Sequence, residues 1–133
     1  MTRLTGKAVI VGTPAYMAPE SATGGEVGPQ SDMYSLGCVA YWLLSGQPVF
    51  HGETPIDVLL RHVRDEPVPL RSLSEIQVPE ALEAAILSCL AKDPKRRPQG
   101  AEALGRILEA MPFERPWTRT RARDSWRNQA GPE

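Results

Sequence analysis

Few side chains in this sequence belong to the types that act as nucleophiles, metal ligands or proton carriers near neutral pH. The chain of 133 residues has two histidines and two cysteines: His51, His62, Cys38 and Cys89. Neither histidine has ligand-like neighbours at metal-binding spacings, so the sequence predicts no metal site. Both cysteines lie in apolar helical patterns, which favours buried, reduced thiols over a disulfide. Residues 1–20 also lack the apolar segment of a signal peptide, and we therefore expect a cytoplasmic protein.

The most basic segment is the C-terminal tail, residues 112–133, in which Trp117 and Trp126 alternate with arginines. A basic segment with aromatic side chains can bind phosphates and stack on bases. The alternative is a frayed or docked terminal helix with a solvated arginine face. Because the run is short, and because Glu114 and Asp124 partly neutralise it, we favour the helix. The net charge of −1 likewise favours neither a nucleic-acid nor a membrane partner.

The segment that must position other residues is 31–46, SDMYSLGCVAYWLLSG. We predict a helix that has Ser31 as its N-cap and Asp32 at its positive end, and that stops at Gly46 in a left-handed conformation. Apolar side chains point in every direction around its 3.6-residue period, which indicates burial on all sides. It is shorter than the roughly 20 residues of a bilayer-spanning helix. The sequence therefore predicts a central helix around which a helical domain packs.

Three further helices are predicted from apolar stripes on the C-terminal side of the central one. They run from Pro55, capped by Thr54, to about Asp65; from Pro79 to about Lys92; and up to Pro112. Their stripes consist of Ile56, Leu59, Leu60 and Val63; of Leu82, Ile86, Leu87 and Leu90; and of Leu104, Ile107, Leu108 and Met111. Each stripe is expected to face the core.

The N-terminal part of the chain gives no strong helical signal. Residues 1–11 end in a β-branched run that could be a strand or an extended loop, but no partner strand is found elsewhere. Two prolines and a glycine within residues 12–20 argue against a regular helix and favour an extended shape. Residues 21–30 are predicted to form a Gly-rich loop, and residues 66–78 a proline-containing loop. Since almost no strand remains, the predicted fold class is all-α.

Three blocks of the sequence resemble parts of a bacterial, eukaryotic-type serine/threonine protein kinase. Residues 12–20, GTPAYMAPE, resemble the end of the activation segment with its Ala-Pro-Glu signature. Residues 32–37, DMYSLG, resemble the start of the central helix of the kinase C-terminal lobe. Residues 93–98, DPKRRP, resemble the loop before the last helix of that lobe. Three blocks in this order make a specific match, and the resemblance covers about residues 5–111.

This resemblance divides the chain into a partial kinase domain, residues 1–111, and the tail, residues 112–133. The partial domain would start in the activation segment, with its helices packed around the central helix. We therefore expect the missing half of the domain to lie upstream.

The resemblance also implies roles for individual residues. Glu20 is implied to pair with Arg97 and to tie the activation segment to the last helices as a structural latch. Asp32 is implied to accept hydrogen bonds from the backbone of the catalytic loop. Without the resemblance, Glu20 and Arg97 would count as surface charges, and Asp32 as a favourable charge at a helix N-terminus.

The resemblance implies that the first proline block faces the protein substrate and that some threonines are phosphorylated. Thr13, Pro14 and Tyr16 would form the loop that receives the substrate residue after the phospho-acceptor. Thr2, Thr5 and Thr13 are implied as candidate phosphorylation sites. As isolated threonines near a terminus, Thr2 and Thr5 would otherwise be solvated.

The nucleotide-binding parts of a kinase are absent from this sequence. Phosphoryl transfer needs a Gly-rich loop, a lysine on the phosphates, metal ligands and a base. Gly24, Gly25 and Gly28 have the wrong spacing for such a loop, and no Asp-Phe-Gly occurs. Lys7 precedes an Ala-Val-Ile run and does not follow it.

A superficial match to the His-Arg-Asp catalytic loop occurs at residues 62–65, HVRD. It contains an inserted residue, lies after the Ala-Pro-Glu block and lacks an asparagine four residues beyond its aspartate. We interpret this segment as the polar end of the helix that begins at Pro55.

These observations predict a serine/threonine kinase fragment with no catalytic residue and no metal or cofactor bound by this chain. ATP and Mg²⁺ would serve a complete parent kinase. The expected partners are protein substrates or the missing kinase half, and self-association is expected through apolar surface of the central helix that the missing helices leave uncovered. Two alternatives stay open: a non-catalytic, pseudokinase-like interaction module, and a small nucleic-acid binder that uses the tail.

Overall fold

The computed structural model describes residues 13–112 and 118–130, without the side chain of Ala130. Thr2, Thr5 and the strand-or-loop segment 1–11 lie outside the described residues. Within the described ranges every regular element is a helix, which confirms the all-α prediction. The α-helices are α1 (Pro19–Thr23), α2 (Pro29–Ser45), α3 (Pro55–Arg64), α4 (Glu80–Cys89), α5 (Ala101–Glu109) and α6 (Arg119–Ala130). Short 3₁₀ helices occur at Pro14–Tyr16, Leu70–Ser72 and Pro94–Arg96.

The start of the central helix, α2, differs from the prediction. Its N-cap is Gly28, and Pro29 takes the first helical position, where a missing N–H costs nothing. Ser31 is therefore inside the first turn, and its hydroxyl accepts a hydrogen bond from the Gly28 N–H at 3.3 Å. The predicted stop is confirmed, because Gly46 has φ +73° and its N–H donates to the Trp42 carbonyl at 2.8 Å.

Burial of α2 is restricted to one side. Tyr34, Cys38 and Tyr41 are fully buried and form the middle of the main apolar core. On the opposite side four large apolar side chains are 37–68% exposed: Leu36, Val39, Trp42 and Leu43. The prediction of burial on all sides is therefore wrong for the described residues, whereas the expected apolar patch on this helix is present.

The first two proline-containing segments are more helical than predicted. Pro14 and Pro19 each occupy the first position of a helix, a 3₁₀ turn and α1 respectively. Proline interrupts a helix interior but fits this first position. Helix α1 extends into the predicted loop 21–30, of which residues 24–28 remain irregular.

Helix α3 has the predicted bounds but a different buried face. Thr54 caps it as predicted, accepting a hydrogen bond from the Asp57 N–H at 3.2 Å. Ile56 and Leu60, however, are 52% and 46% exposed, while His62 is fully buried. The helix packs against the Pro14–Tyr16 turn and α1, and this packing selects the face that carries His62. The interpretation of residues 62–65 as a polar helix end is thus wrong at His62.

The remaining core helices follow the prediction in part. In α4 the stripe residues Ile86 and Leu90 are buried, as predicted. In α5 only Leu104 of the stripe is buried, because Ile107 and Leu108 reach solvent. The loop 66–78 contains the fully buried Leu70, at the start of its 3₁₀ turn.

The tail contains α6, as the terminal-helix alternative predicted. Trp126 on this helix is 73% exposed, and Arg119, Arg123 and Arg127 also face solvent. Within residues 13–112 and 118–130, no helix combines the length and apolar character needed to cross a bilayer.

Helices α2 and α4 approach each other closely at Gly37. A Cβ added to Gly37 would lie 2.8 Å from the Cβ of Cys89 and 3.1 Å from the Cδ2 of Leu90. Cys89 and Cys38 are both buried free thiols, as predicted. Burial raises the pKa of the Cys38 thiol to about 12, so this thiol is not the reactive thiolate form at neutral pH.

We predict that Gly37→Ala lowers the free energy of unfolding by about 1–3 kcal/mol, because the new methyl group overpacks the contact between α2 and α4. The matched control is Gly105→Ala on α5, where a Cβ would meet no atom within 4 Å. The control should raise the free energy of unfolding by roughly 0.5–1 kcal/mol, since alanine is the better helix former. Urea unfolding followed by circular dichroism measures both, and a stabilising Gly37→Ala would contradict the close packing.

Candidate functional site

The most heavily bonded charged group among the described residues is the guanidinium of Arg97, which is 2% exposed. Its Nη1 donates to Oε2 of Glu20 at 2.7 Å and its Nη2 donates to Oε1 at 2.9 Å. The ion pair implied by the resemblance is therefore present, in the bidentate form that arginine makes with carboxylates. It joins α1 to the loop before α5.

The other donors of Arg97 bind backbone carbonyls. Nε donates to Ala91 at 2.8 Å, Nη1 to Gln30 at 2.8 Å and Nη2 to Lys92 at 3.2 Å. With these bonds, all five N–H donors of the guanidinium have an acceptor. One side chain thus connects α1, the first turn of α2 and the segment after α4.

The local sequence explains why Arg97 points inward. Asp93 caps the Pro94–Arg96 turn by accepting a hydrogen bond from the Lys95 N–H at 3.0 Å. Arg97 follows this turn in an extended conformation, with φ −79° and ψ 162°. The proline at each side of the basic run limits the backbone to this path.

Glu20 receives a second donor from α2. The Ser31 hydroxyl donates to Oε2 of Glu20 at 2.6 Å. Burial raises the pKa of the Glu20 carboxyl, but the hydrogen bonds from Arg97 and Ser31 outweigh it and lower the pKa from 4.5 to about 2. The carboxylate therefore stays ionised at any physiological pH.

Tyr34 carries this network into the core. The Arg97 guanidinium lies over the Tyr34 ring at 5.0 Å from its centroid, a cation–π contact. The Tyr34 hydroxyl and Nδ1 of His62 are 2.6 Å apart. Burial is the main cause that raises the pKa of the Tyr34 hydroxyl far above 10, so Tyr34 is neutral.

The Pro14–Tyr16 turn sits at the outer end of the network. The Ser35 hydroxyl of α2 donates to the Tyr16 carbonyl at 2.6 Å, and the Tyr16 side chain packs against the core. Thr13, the residue before the turn, is exposed, and its side chain makes no capping bond. The hydrogen bond from Ser35 and the packing of Tyr16 fix this turn on its inner side, and Thr13 is exposed beside it. Thr13, Pro14 and Tyr16 can therefore form a rigid edge of a peptide-binding surface, here called the substrate rim.

Asp32 lies apart from the network. It is exposed in the first turn of α2, where a carboxylate favours the helix dipole. The catalytic-loop backbone that the resemblance assigns to it is not in this sequence, so that role stays a prediction.

The protein kinase domain family matches residues 1–107. The chain belongs to this family. The match confirms the resemblance to a protein kinase, and the Glu20–Arg97 pair lies within the matched residues.

Two bacterial kinases illustrate the similarity. Serine/threonine-protein kinase PknB of Mycobacterium leprae is 40% identical over 119 residues, which cover 86% of this chain and 19% of PknB. The DNA damage-responsive serine/threonine-protein kinase RqkA of Deinococcus radiodurans is 45% identical over 124 residues, which cover 93% of this chain and 18% of RqkA. The chain spans less than a fifth of the length of these kinases.

Sequence reasoning missed three members of the network: Ser31, Tyr34 and His62. The sequence predicts Ser31 as the helix cap and Tyr34 as an apolar residue of the central helix, without their polar partners. His62 had a usable signal, since it lies three residues after Leu59 and four after Val58, on one face of α3. A histidine on such a face requires a buried partner, which Tyr34 supplies.

The kinase family implies ATP and Mg²⁺, and the described residues do not fit the metal. Within residues 13–112 and 118–130, no group of three or more His, Cys, Asp or Glu side chains could hold a metal ion. No step of phosphate transfer is therefore assigned to these residues.

We predict that Glu20→Gln lowers the free energy of unfolding by about 3–5 kcal/mol, because it leaves the buried Arg97 without its counter-charge. The matched control is Glu102→Gln, which breaks an exposed pair with Arg106 at 3.4 Å. Exposed i,i+4 pairs contribute roughly 0.3–0.5 kcal/mol. Urea unfolding at pH 7 measures both variants, and equal small losses would show that the buried pair is not a latch.

The free energy of unfolding should also decrease at acidic pH because of Glu20. A carboxyl whose pKa is about 2 in the folded chain and 4.5 when unfolded stabilises the fold fully above pH 4.5. That stabilisation is lost as the pH falls from 4.5 towards 2, where the unfolded chain binds the extra proton. We expect the difference in unfolding temperature between wild type and Glu20→Gln to be constant from pH 7 to 5 and to shrink below pH 4. A difference that already shrinks above pH 5 would contradict the lowered pKa.

Proposed function

We propose that this chain forms the substrate-facing lower part of a serine/threonine protein kinase C-lobe and does not transfer phosphate by itself. The observation that carries this proposal is the buried Arg97–Glu20 pair, which fixes the segment after the Pro14–Tyr16 turn against α2. A segment locked in this way suits a surface that must hold a flexible peptide in one register. Rigid positioning is what phosphoryl transfer requires of the protein.

The residues proposed to contact the substrate are Thr13, Pro14 and Tyr16. Support comes from their arrangement: Thr13 is exposed, while the turn behind it is bonded to Ser35 and packed against the core. A threonine hydroxyl both donates and accepts, so it can bind a peptide backbone or the acceptor side chain. Its exposure also keeps Thr13 a candidate phosphorylation site.

In this proposal the complete kinase is a cytoplasmic bacterial enzyme. It transfers the γ-phosphate of ATP, as its magnesium complex, to serine or threonine of a protein. The Gly-rich loop, the phosphate-binding lysine, the metal ligands and the catalytic base come from sequence outside this chain. Their absence from the 133 residues supports the view that the chain alone neither binds ATP tightly nor turns it over.

A second candidate is a non-catalytic interaction module. It is favoured by one observation, the exposed apolar face of α2, which borders a groove of about 250 Å³ between α2, α4 and α5. Continuous apolar surface of this kind is typical of binding sites. A module of this kind loses its partner when Leu43, which lines the groove, becomes serine, and it is insensitive to changes at Thr13.

The first test uses the chain alone with radiolabelled ATP and a generic protein acceptor. We expect no transfer above the background without protein. Turnover that disappears on mutation of a residue of this chain would overturn the proposal.

The second test uses the longer kinase that contains this segment. We predict that Thr13→Ala lowers kcat/KM for a peptide substrate by roughly 2–10-fold, the effect of one lost hydrogen bond, and leaves KM for ATP unchanged. The control is Ser21→Ala, an exposed hydroxyl on α1 away from the turn, which should have no effect. If Thr13→Ala behaves like the control, the turn is not a substrate-binding rim.

A further inference from the structure

His62 is a fully buried polar side chain that neither the ion pair nor the substrate rim explains. Its ring packs edge-to-face against Phe50 at 5.0 Å and against Tyr34 at 5.5 Å between centroids. Nδ1 lies 2.6 Å from the Tyr34 hydroxyl. Nε2 is also buried and has no hydrogen-bond partner among the described residues. Buried polar atoms without a partner are rare and call for an explanation.

We propose that His62 is a positioning residue that ties the Pro14–Tyr16 turn to the central helix, with Nδ1 accepting from Tyr34 and Nε2–H directed at backbone carbonyls of the turn. The functional part of this inference rests on the proposed role of the turn as a substrate rim. The structural part stands without it.

The identity of the acceptors follows from the packing of α3. This helix lies against the Pro14–Tyr16 turn. The backbone of Ala15 and of Pro14 raises the pKa of His62, against the larger effect of burial, so this backbone lies near the ring, although no atom of the described residues meets hydrogen-bond geometry with Nε2. Only a carbonyl oxygen has that effect, since a backbone N–H would favour the neutral ring. Because Nδ1 is engaged by Tyr34, Nε2 is the nitrogen left to face these oxygens.

This arrangement selects one tautomer of a neutral ring. If Nδ1 carried the proton, the lone pair of Nε2 would face carbonyl oxygens, and the Tyr34 hydroxyl proton would need another acceptor. With the proton on Nε2, Tyr34 donates to Nδ1 and the ring donates towards the turn. Burial is the main cause that lowers the pKa of His62 to about 4, with Lys92 acting in the same direction.

The proposed contact of His62 with the turn complements the hydrogen bond that Ser35 makes to it. Ser35 holds the turn at the Tyr16 carbonyl, and His62 would hold its other end, at Pro14 and Ala15. The turn is then fixed to α2 directly at one end and through His62 and Tyr34 at the other. Loss of the contact between His62 and the turn should make the turn open more often and leave the rest of the fold unchanged.

The direct test is the protonation state of the imidazole, measured by long-range ¹⁵N–¹H correlation on the 133-residue chain at pH 7. We expect a neutral ring with the proton on Nε2. In Tyr34→Phe, which removes the donor to Nδ1, the proton should stay on Nε2, because the carbonyl oxygens of the turn still favour it there, and a mixture of tautomers would contradict this part of the proposal. A ring protonated on Nδ1, or a charged ring, would overturn the assignment without the need for a His62 variant.

The positioning role is tested by amide exchange in the turn. The N–H groups of Tyr16 and Met17 close it through bonds to Thr13 and Pro14 at 3.1 and 3.2 Å. In His62→Phe, which fills the space but cannot donate, their exchange should be roughly 3–10-fold faster, the effect of one lost hydrogen bond. In His62→Gln, whose amide nitrogen can replace Nε2 as donor, it should return to within about twofold of wild type.

The internal control is the Gly46 N–H, which donates to Trp42 at the far end of α2 and should keep its exchange rate in both variants. Unchanged rates in the turn, or an equal rise at Gly46, would show that His62 only fills space. These measurements use no substrate, so they can fail while the Thr13 kinase assay succeeds, or the reverse.

Discussion

The fold depends on the cost of burying one positive charge. A guanidinium removed from water must recover its lost hydration through good hydrogen bonds, or the structure that buries it is unstable. Arg97 recovers it through Glu20 and through carbonyls at Gln30, Ala91 and Lys92. These acceptors come from α1, from the first turn of α2 and from the segment after α4. The arrangement of three elements that are distant in sequence is therefore constrained by the donor geometry of one side chain.

The same constraint continues into the core as a chain of polar contacts. Arg97 lies over Tyr34, Tyr34 contacts His62, and helix α3, which carries His62, packs against the Pro14–Tyr16 turn. Apolar packing alone tolerates shifts of side chains, whereas buried hydrogen bonds fix both partner and direction. A core built partly from such bonds suits a domain whose proposed task is to hold a peptide in one position.

The sequence predicted where helices begin and end better than it predicted which face of each helix is buried. The end of α2 at Gly46 and the cap of α3 at Thr54 follow from local chemistry, and both are present. The Glu20–Arg97 pair came only from the family resemblance, since nothing local distinguishes these two charges from surface charges. The exposure of Ile56 could not be derived, because apolar periodicity ranks side chains by hydropathy and ignores partners supplied by another helix. The same ranking passes over His62, although its place on one face with Val58 and Leu59 indicates burial. The helical starts at Pro14 and Pro19 were missed because proline signals a helix break and a helix start alike.

The apolar surface of α2 extends further around the helix than the part that the other described residues bury. Its apolar side chains surround the helix, yet only the side with Tyr34, Cys38 and Tyr41 is buried. The side with Trp42 and Leu43 remains open. A helix that is apolar all round is typical of a position with neighbours on every side. The two proposed functions differ in what those neighbours are: for a kinase they are other parts of the same domain, and for an interaction module they are a separate protein. The buried side is common to both, and the choice between them therefore depends on the open face and on the Pro14–Tyr16 turn.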